Sequence, residues 1–300
     1  MKDVMKKRKK KIDVLSLAIF IFLFVQLTLL VVPFIWCFIT SFKGNLDYYE
    51  NPFGLPKLWK WERYPELLRI IKVPITNKRL GVKQNVYFGQ MVLNSFAYAG
   101  VSAFTATTVC YIVAYIRNSY DFKILHGLDL VVLFVTTMPI IGSLPASITV
   151  FTKLGLIENF FGMTVIAKAS FTSTYYFIIG VVIKGISGSY IEAAQIDGAN
   201  QVQLFTRIMV PLTISMYFTI FLFNFVGAWN DYTTPMIYLT SFPTASYGLW
   251  ELKQVSTREI DGVPVKLAST FLTVDPVLIL FTIFSSRIMN GLNFEGVEKG

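Results

Sequence analysis

The sequence predicts an all-α polytopic membrane protein with six transmembrane helices. Hydrophobic residues make up 54% of the chain and charged residues only 15%, and the mean hydropathy is +0.57, which argues against a soluble domain. Charge-free stretches at residues 14–42, 84–116, 131–152 and 208–230 are each as long as the roughly 20-residue helix that crosses a hydrocarbon core. Lipid demands that each spanning segment satisfy its own backbone polar groups, so such spans are helices.

Taken in order, residues 1–13 form a basic tail in which seven of the first eleven are Lys or Arg, as expected beside anionic cytoplasmic lipid. The first span, 14–42, is about twice the length of a signal-peptide core and lacks a small-x-small cleavage site, so it reads as an uncleaved helix. An external loop, 43–88, contains "NPFGLPKLWKWERYPELLRI". Its Pro, Gly and Trp residues suggest a structured segment with an aromatic membrane-interface element, too short for its own core. The second span is 89–116, followed by a tight turn with Arg117, Asn118 and Lys123. The third, 124–150, is interrupted by Pro139, Gly142 and Pro145; such breaks either line a path or kink a packed helix. "FTKLGLIENFFG" follows as an external turn with a short interfacial helix.

The fourth span, 163–185, is shorter and carries Lys168 near its start. A cytoplasmic loop at 187–207, a fifth span at 208–235 and an external loop at 238–267 come next. A sixth span at 268–287, interrupted by Asp275, leads to a tail at 288–300. Lys and Arg divide almost evenly between the two sides, so orientation rests on the basic density beside the first helix, which places both termini in the cytoplasm. There is no convincing internal repeat.

Several function classes are excluded. Cys37 and Cys110 both lie in apolar spans, and His126 is the one histidine, so a disulfide framework, a metal site and His-dependent catalysis are not expected. No paired carboxylates or nucleophile motif suggests an enzyme. The net charge of +9 does not form the mixed basic and aromatic surface of a nucleic-acid binder.

The polar segment "SYIEAAQIDGANQVQLFTRIMVPL" sits between two spans. Ser189 and Glu192 have capping-box spacing, Ala193, Ala194 and Gln195 favour helix, and Asp197-Gly198 reads as a stop. A second helical stretch begins near Asn200, and Pro211 marks the start or a kink of the next span. Helix, glycine bend and helix across the membrane surface fit an ordinary interfacial turn and a rigid lever equally.

Glu192-Ala193-Ala194, Gly198, Ile208 and Pro211 resemble the EAA loop of permease subunits in binding-protein-dependent ABC importers. That pattern is EAA, three residues, Gly, nine residues, Ile, one residue and Leu-Pro; here the spacing holds and only Val210 departs, standing where Leu is usual. "EAAQIDGA", "LGLIEN", "GAWNDYTTPMIYL" and the terminal "GLNFEGVEKG" are similar to stretches of the carbohydrate-importing, MalG-like branch.

The resemblance implies a MalG-like permease fold with a cytoplasmic EAA coupling helix, in a bacterial cytoplasmic membrane. Glu192, Ala193, Ala194, Asp197 and Gly198 would couple to a separate ATPase, present as two copies or a pair. The chain lacks the Gly-Lys-Ser/Thr of a P-loop, so ATP and Mg would bind that subunit and no cofactor would bind this one. A second, non-identical permease, an extracytoplasmic solute-binding protein and membrane lipid would be the other partners.

Trp250 and Glu251 are candidate binding-protein contacts, or else an interfacial aromatic with a solvated acid. Asn230, Asp231 and Asp275 are candidates for the translocation path or for partner contact. Asn230-Asp231 also suits a plain helix-ending polar pair. Asp275, mid-span beside Pro276, would cost roughly 2.5–3.5 kcal/mol to insert as a charge; it would face a hydrated cavity, pair with the partner or be protonated. The competing readings are a permease for a non-sugar solute and an ion-coupled secondary transporter.

Overall fold

The computed structural model describes residues 14–76, 83–120, 122–138, 142–254 and 262–292. The expected basic tail, Pro139, part of the second external loop and most of the terminal motif lie outside the described residues. The chain divides into two units, Met1–Tyr64 with Ser256–Phe271, and Pro65–Val255 with Leu272–Gly300.

In the first unit, α1 (Val14–Ser41) is apolar on every face, and its exposed side chains include Phe20, Phe22, Leu29 and Leu30, the composition of a helix solvated by lipid. Its C-terminal carbonyls need donors, and the Arg63 guanidinium supplies one to Ser41 O at 2.6 Å. Past the short α2 (Asn45–Glu50), the chain folds back on this end. The buried Lys43 donates to the carbonyls of Asn51 (2.6 Å) and Pro52 (3.2 Å), and the Trp36 indole also donates to Pro52 O. Phe42 is enclosed by Trp59, Trp61 and Tyr64. The "KLWKWERY" aromatics therefore seal the end of α1, with Trp61 also exposed.

The second unit begins near α3 (Arg63–Ile70) and a two-stranded antiparallel hairpin, β1 (Lys72–Thr76) with β2 (Lys83–Tyr87). Pro74 sits in β1, a position open to it because a two-stranded sheet has only edges. The hairpin leads into α4 (Phe88–Ser119), the central helix of the unit. Ser95, Ala99, Ser102 and Ala103 are nearly solvent-free, and such small residues let helices approach closely in lipid.

The elements after α4 are α5 (Lys123–Thr137), α6 (Leu144–Lys153), α7 (Thr174–Lys184), α8 (Gly188–Ile196), α9 (Gln201–Gln203), α10 (Val210–Asn230), α11 (Thr233–Tyr238), α12 (Ala245–Gln254) and α13 (Val263–Leu292). One buried cluster gathers Cys110, Tyr111 and Ala114 of α4, Val132 of α5, Tyr176 and Ile179 of α7 and Met216 and Ile220 of α10. Hydroxyl bonds stitch α4 to α10 through this core: Tyr111 with Thr213 (2.6 Å), Thr108 with Tyr217 (2.7 Å) and Asn224 to Thr107 (2.9 Å). At one end, Asp129 of α5 accepts from Arg117 (2.9 Å) and from the Tyr176 hydroxyl (2.7 Å).

Among the described residues, four helical stretches are long and apolar enough to cross a membrane, Leu15–Ser41, Phe88–Ser119, Gln201–Asn230 and Val263–Ile283, and the bent pair Thr174–Lys184 with Gly188–Ile196 makes a fifth if it is one span. Over residues 124–150 there are two helices rather than one, because α5 ends before Met138 and Gly142 has φ +76°. Over residues 163–185, a π-helical turn at Gly162–Ile166 precedes irregular chain and then α7. The interruption falls on a polar run in which the Ser170 hydroxyl accepts from the Thr172 amide, the local competition by which Ser and Thr displace helix.

Candidate coupling site

The chain between α7 and α10 turns sharply. α8 leaves α7 at 65° across a short break where Gly185 amide bonds close α7. The helix start differs from the Ser189/Glu192 capping box expected from spacing: the N-cap is Ser187, whose hydroxyl accepts from the Ser189 amide. The helix opens two residues early because Gly188 is its first turn, so Ser189 and Glu192 lie inside it. Glu192 is thus released from capping and exposed.

The stop is the expected one. Gly198 has φ +80°, its amide donates to Gln195 O (3.0 Å) and the Ala199 amide to Ala194 O (2.9 Å), the paired bonds of a Schellman C-cap. Nothing lies within 4 Å of where a Gly198 Cβ would be, so backbone conformation alone, not space, selects glycine here. A capping box does exist, one helix later. Asn200 Oδ1 accepts from the Gln203 amide and Gln203 Oε1 from the Asn200 amide, both at 2.9 Å. The Asn-x-x-Gln spacing carried that signal.

From α9 the chain passes through a π-helical turn, Leu204–Met209, into α10, with Pro211 in the first turn. Proline offers no amide for the preceding turn, and the wider π turn is how the helix absorbs that irregularity. Phe205 within it packs on Tyr115 at 4.7 Å and Tyr111 at 5.6 Å between ring centres, tying the bend to α4.

The segment therefore has two faces. Inward, Ile191 and Phe205 pack on the core, and a cavity of about 360 Å³ lies behind α8, lined by Tyr115, Lys184, Gln195 and Leu204 among others. Outward, Glu192, Ala193, Asp197 and Gly198 are exposed, with Ala194 half-buried. Around them stand Tyr190 at 58%, Ile196 at 86% and Val202 at 69% exposure. All three are large apolar side chains exposed on an otherwise polar loop. Tyr190, Ile196 and Val202 are contributors that the motif does not name.

At the other end of α10, Asn230 is exposed and its amide turns back to Val226 O (3.0 Å). Asp231, by contrast, is engaged within the chain. It caps Thr234 N (3.0 Å) and accepts from the Tyr98 hydroxyl (2.9 Å) and Lys168 (3.4 Å). Nearby, Glu158 adopts φ +58°, uncommon for a non-glycine residue, and its carboxylate holds Ser241 N and the Thr240 hydroxyl. Trp250 and Glu251 lie half-buried on α12. The Trp250 ring stacks on Tyr232 at 6.0 Å, and Tyr247 completes the group. Burial, reinforced by the Glu251 charge, pushes the Tyr247 phenol above its ordinary pKa, keeping it a neutral donor. Asp275 lies mid-way along α13, half-buried.

The family described as "Binding-protein-dependent transport system inner membrane component" matches residues 106–292, from the core of α4 through the entire α7–α10 loop to the end of α13. The chain belongs to this family. It is the membrane-embedded permease component of an ABC importer, a transport subunit and not an enzyme, and the family implies a solute-binding protein and a separate ATPase as partners. The permease is 25% identical over 277 residues to the inner membrane ABC transporter permease protein YcjP of Escherichia coli K12, covering 92% of this chain and 93% of that one. It is 26% identical over 282 residues to the sn-glycerol-3-phosphate transport system permease protein UgpE of Yersinia pestis bv. Antiqua (strain Antiqua), covering 91% and 94%. The diacetylchitobiose uptake system permease protein NgcG of Streptomyces coelicolor is 22% identical over 267 residues, 88% and 83% of the two chains. A solved bacterial ABC transporter involved in import of the acidic polysaccharide alginate contains a chain of the same fold, with a TM-score of 0.72 at 20% identity over 91% of this permease and 96% of that chain.

Proposed function

We propose that the permease imports a carbohydrate by alternating access, driven through α8 by a separate ATPase that binds ATP and Mg. The observation that carries the coupling role is the exposed α8–Gly198–α9 surface, held at a fixed angle by α7 and anchored to α4 through Phe205. Glu192, Ala193, Ala194, Asp197 and Gly198 contact the ATPase in this reading, with Tyr190, Ile196 and Val202 as apolar anchors. A short helix with a rigid bend converts closure of the ATPase pair into rotation of the attached spans.

Six spans follow if α1, α4, the broken pair α5–α6, residues 163–184 with α7, the continuous stretch from α9 through α10, and α13 each cross once. That count puts both termini and α8 on one side, which the basic density beside α1 makes the cytoplasm in this reading. A second, non-identical permease completes the pathway. α12 faces the extracytoplasmic binding protein, which Trp250 and Glu251 contact, while Asn230 and Asp275 serve the path or the partner permease. Asp231, held by Tyr98 and Lys168 within the chain, would join that group only by exchanging those partners. The carbohydrate follows from the diacetylchitobiose relative, the alginate importer and the MalG-like motifs together.

The test is purification of the complex in proteoliposomes with its binding protein. The reading expects ATP-dependent uptake of a sugar that the binding protein holds. Uptake driven by an ion gradient without ATP, or a binding protein specific for amino acids or peptides, overturns it.

A further inference from the structure

We infer that the outer face of the β1–β2 hairpin is a docking surface for an acidic patch on the solute-binding protein. This deepens the importer reading and rests on it, because the six-span count, with the N-terminus inside, is what places the hairpin outside. In an antiparallel pair, residues directly opposite share a face and successive pairs alternate between faces. The pair Val73–Val86 points inward, and both side chains are nearly solvent-free. α12 packs against β1, and the Phe88 amide donates to Ile71 O at 3.1 Å, closing the hairpin onto the start of α4. A lone two-stranded hairpin is marginal in water; this one is held in place by its inner face. The pairs Lys72–Tyr87, Pro74–Asn85 and Thr76–Lys83 make up the other face, and all six residues are exposed. Lys72 and Lys83 stand at its two ends, about 13 Å apart along the strands. Among the described residues neither ammonium has a hydrogen bond or ion pair.

Charge distinguishes this face. Residues 69–87 contain five Lys or Arg and no Asp or Glu. The preceding part of that loop, residues 43–68, balances four against four, and the second external loop, 238–267, balances three against three. The surplus therefore falls at the hairpin, on the side of the membrane where cations are ordinarily sparse. Arg69, exposed in the last turn of α3, adds to it. Glu66 is the one acid on α3, and the first turn of α4 has none. A membrane-surface anchor buries Trp, Phe or Leu, and this face offers only Tyr87 and Pro74 between its cations. Asn85 and Thr76 instead supply hydrogen-bonding groups, and a rigid sheet presents them at little ordering cost. That suits the polar surface of a folded protein of opposite charge. Of the partners the family implies, the binding protein is the one that meets the permease from outside, and it must leave to reload. Paired charges raise the rate of encounter more than they hold a complex together, which is what such a partner needs.

The experiment uses the complete importer in nanodiscs of phosphatidylcholine, with ATP hydrolysis followed as loaded binding protein is added. For Lys72→Glu with Lys83→Glu, the half-saturating concentration of binding protein should rise about tenfold, the worth of two exposed charge contacts made repulsive, while the rate at saturation is kept. Added salt should weaken the parent and narrow that gap. Lys72→Arg with Lys83→Arg should behave as the parent. Lys57→Glu with Lys60→Glu, the same charge change in the balanced part of the loop, should shift the half-saturating concentration by less than about twofold. A zero-length carbodiimide applied to the parent complex should join Lys72 or Lys83 to an Asp or Glu of the binding protein. An unchanged half-saturating concentration in the hairpin variant overturns the proposal, as does an equal shift in the Lys57 and Lys60 variant. So does coupling of neither lysine to the binding protein at a concentration that saturates hydrolysis. A shift that appears only when phosphatidylglycerol is added assigns the face to lipid and overturns it too. Each of these outcomes leaves the importer reading standing. Failure of loaded binding protein to stimulate even the parent removes that reading, and the docking face with it.

Discussion

Gly198 is the residue on which the geometry of the coupling segment turns. Its left-handed conformation has no steric neighbour, so Gly198→Ala introduces backbone strain and little else, about 1 kcal/mol. The expected outcome is a complex that assembles normally but whose ATPase responds less to loaded binding protein, checked by ATP hydrolysis with and without that protein. Asn200→Ala removes the capping box and costs about 1 kcal/mol of local stability, read as faster hydrogen exchange at residues 201–209. The first of these residues was legible in the sequence because an Asp-Gly stop after a helix-forming run has one physical meaning. The second was legible in principle, through Asn-x-x-Gln, yet Ser189 and Glu192 have an equally good spacing. Choosing between them depends on where α8 begins, and the angle at which α7 delivers the chain sets that. The partners of Asp231 were not legible. They are far away in sequence: packing of α4 beside α10 brings Tyr98 to Asp231, and the irregular chain before α7 brings Lys168.

At the scale of elements, apolar runs revealed α1, α4, α10 and α13 because hydropathy is summed over twenty or so residues and tolerates local error. The stretches 124–150 and 163–185 are different, since short polar side chains and proline decide there whether a helix continues. The β1–β2 hairpin gave no signal, its strands being short, partly charged and interrupted by Pro74. Two elements invite tests. α12 seats on α4 through Gly248, where an added Cβ would run into Met91 Sδ, and through Ser95 Oγ accepting from Ala245 N at 2.8 Å. Gly248→Val should displace α12, lowering ATPase stimulation by loaded binding protein several-fold while basal hydrolysis is kept. Arg117, with its side chain only 13% exposed, ties α4 to α5 through Asp129. Arg117→Met should lower the thermal unfolding temperature of the purified complex, a loss of about 1–3 kcal/mol for a charged hydrogen bond left unmade.

For the whole molecule, the proposed function makes the permease a lever with α8 as its handle. The handle, α8 with its Gly198 bend, is fixed to α10 by the π turn and to α4 by Phe205, and α4 and α10 run from there through the buried cluster to the Asp231 lock at the far end. In the proposed function a push on α8 would be delivered to α4 and α10, the two helices at the core of the second unit, and so bias a nucleotide-driven population shift. The most direct measurement is the amount of solute taken up per ATP hydrolysed by the reconstituted complex, compared between the parent permease and Glu192→Lys. Charge reversal on the exposed face of α8 should leave the permease folded while uptake per ATP falls at least several-fold, or while the ATPase is lost from the purified complex. Unchanged uptake per ATP with the ATPase fully retained would contradict the assignment of α8 as the coupling helix.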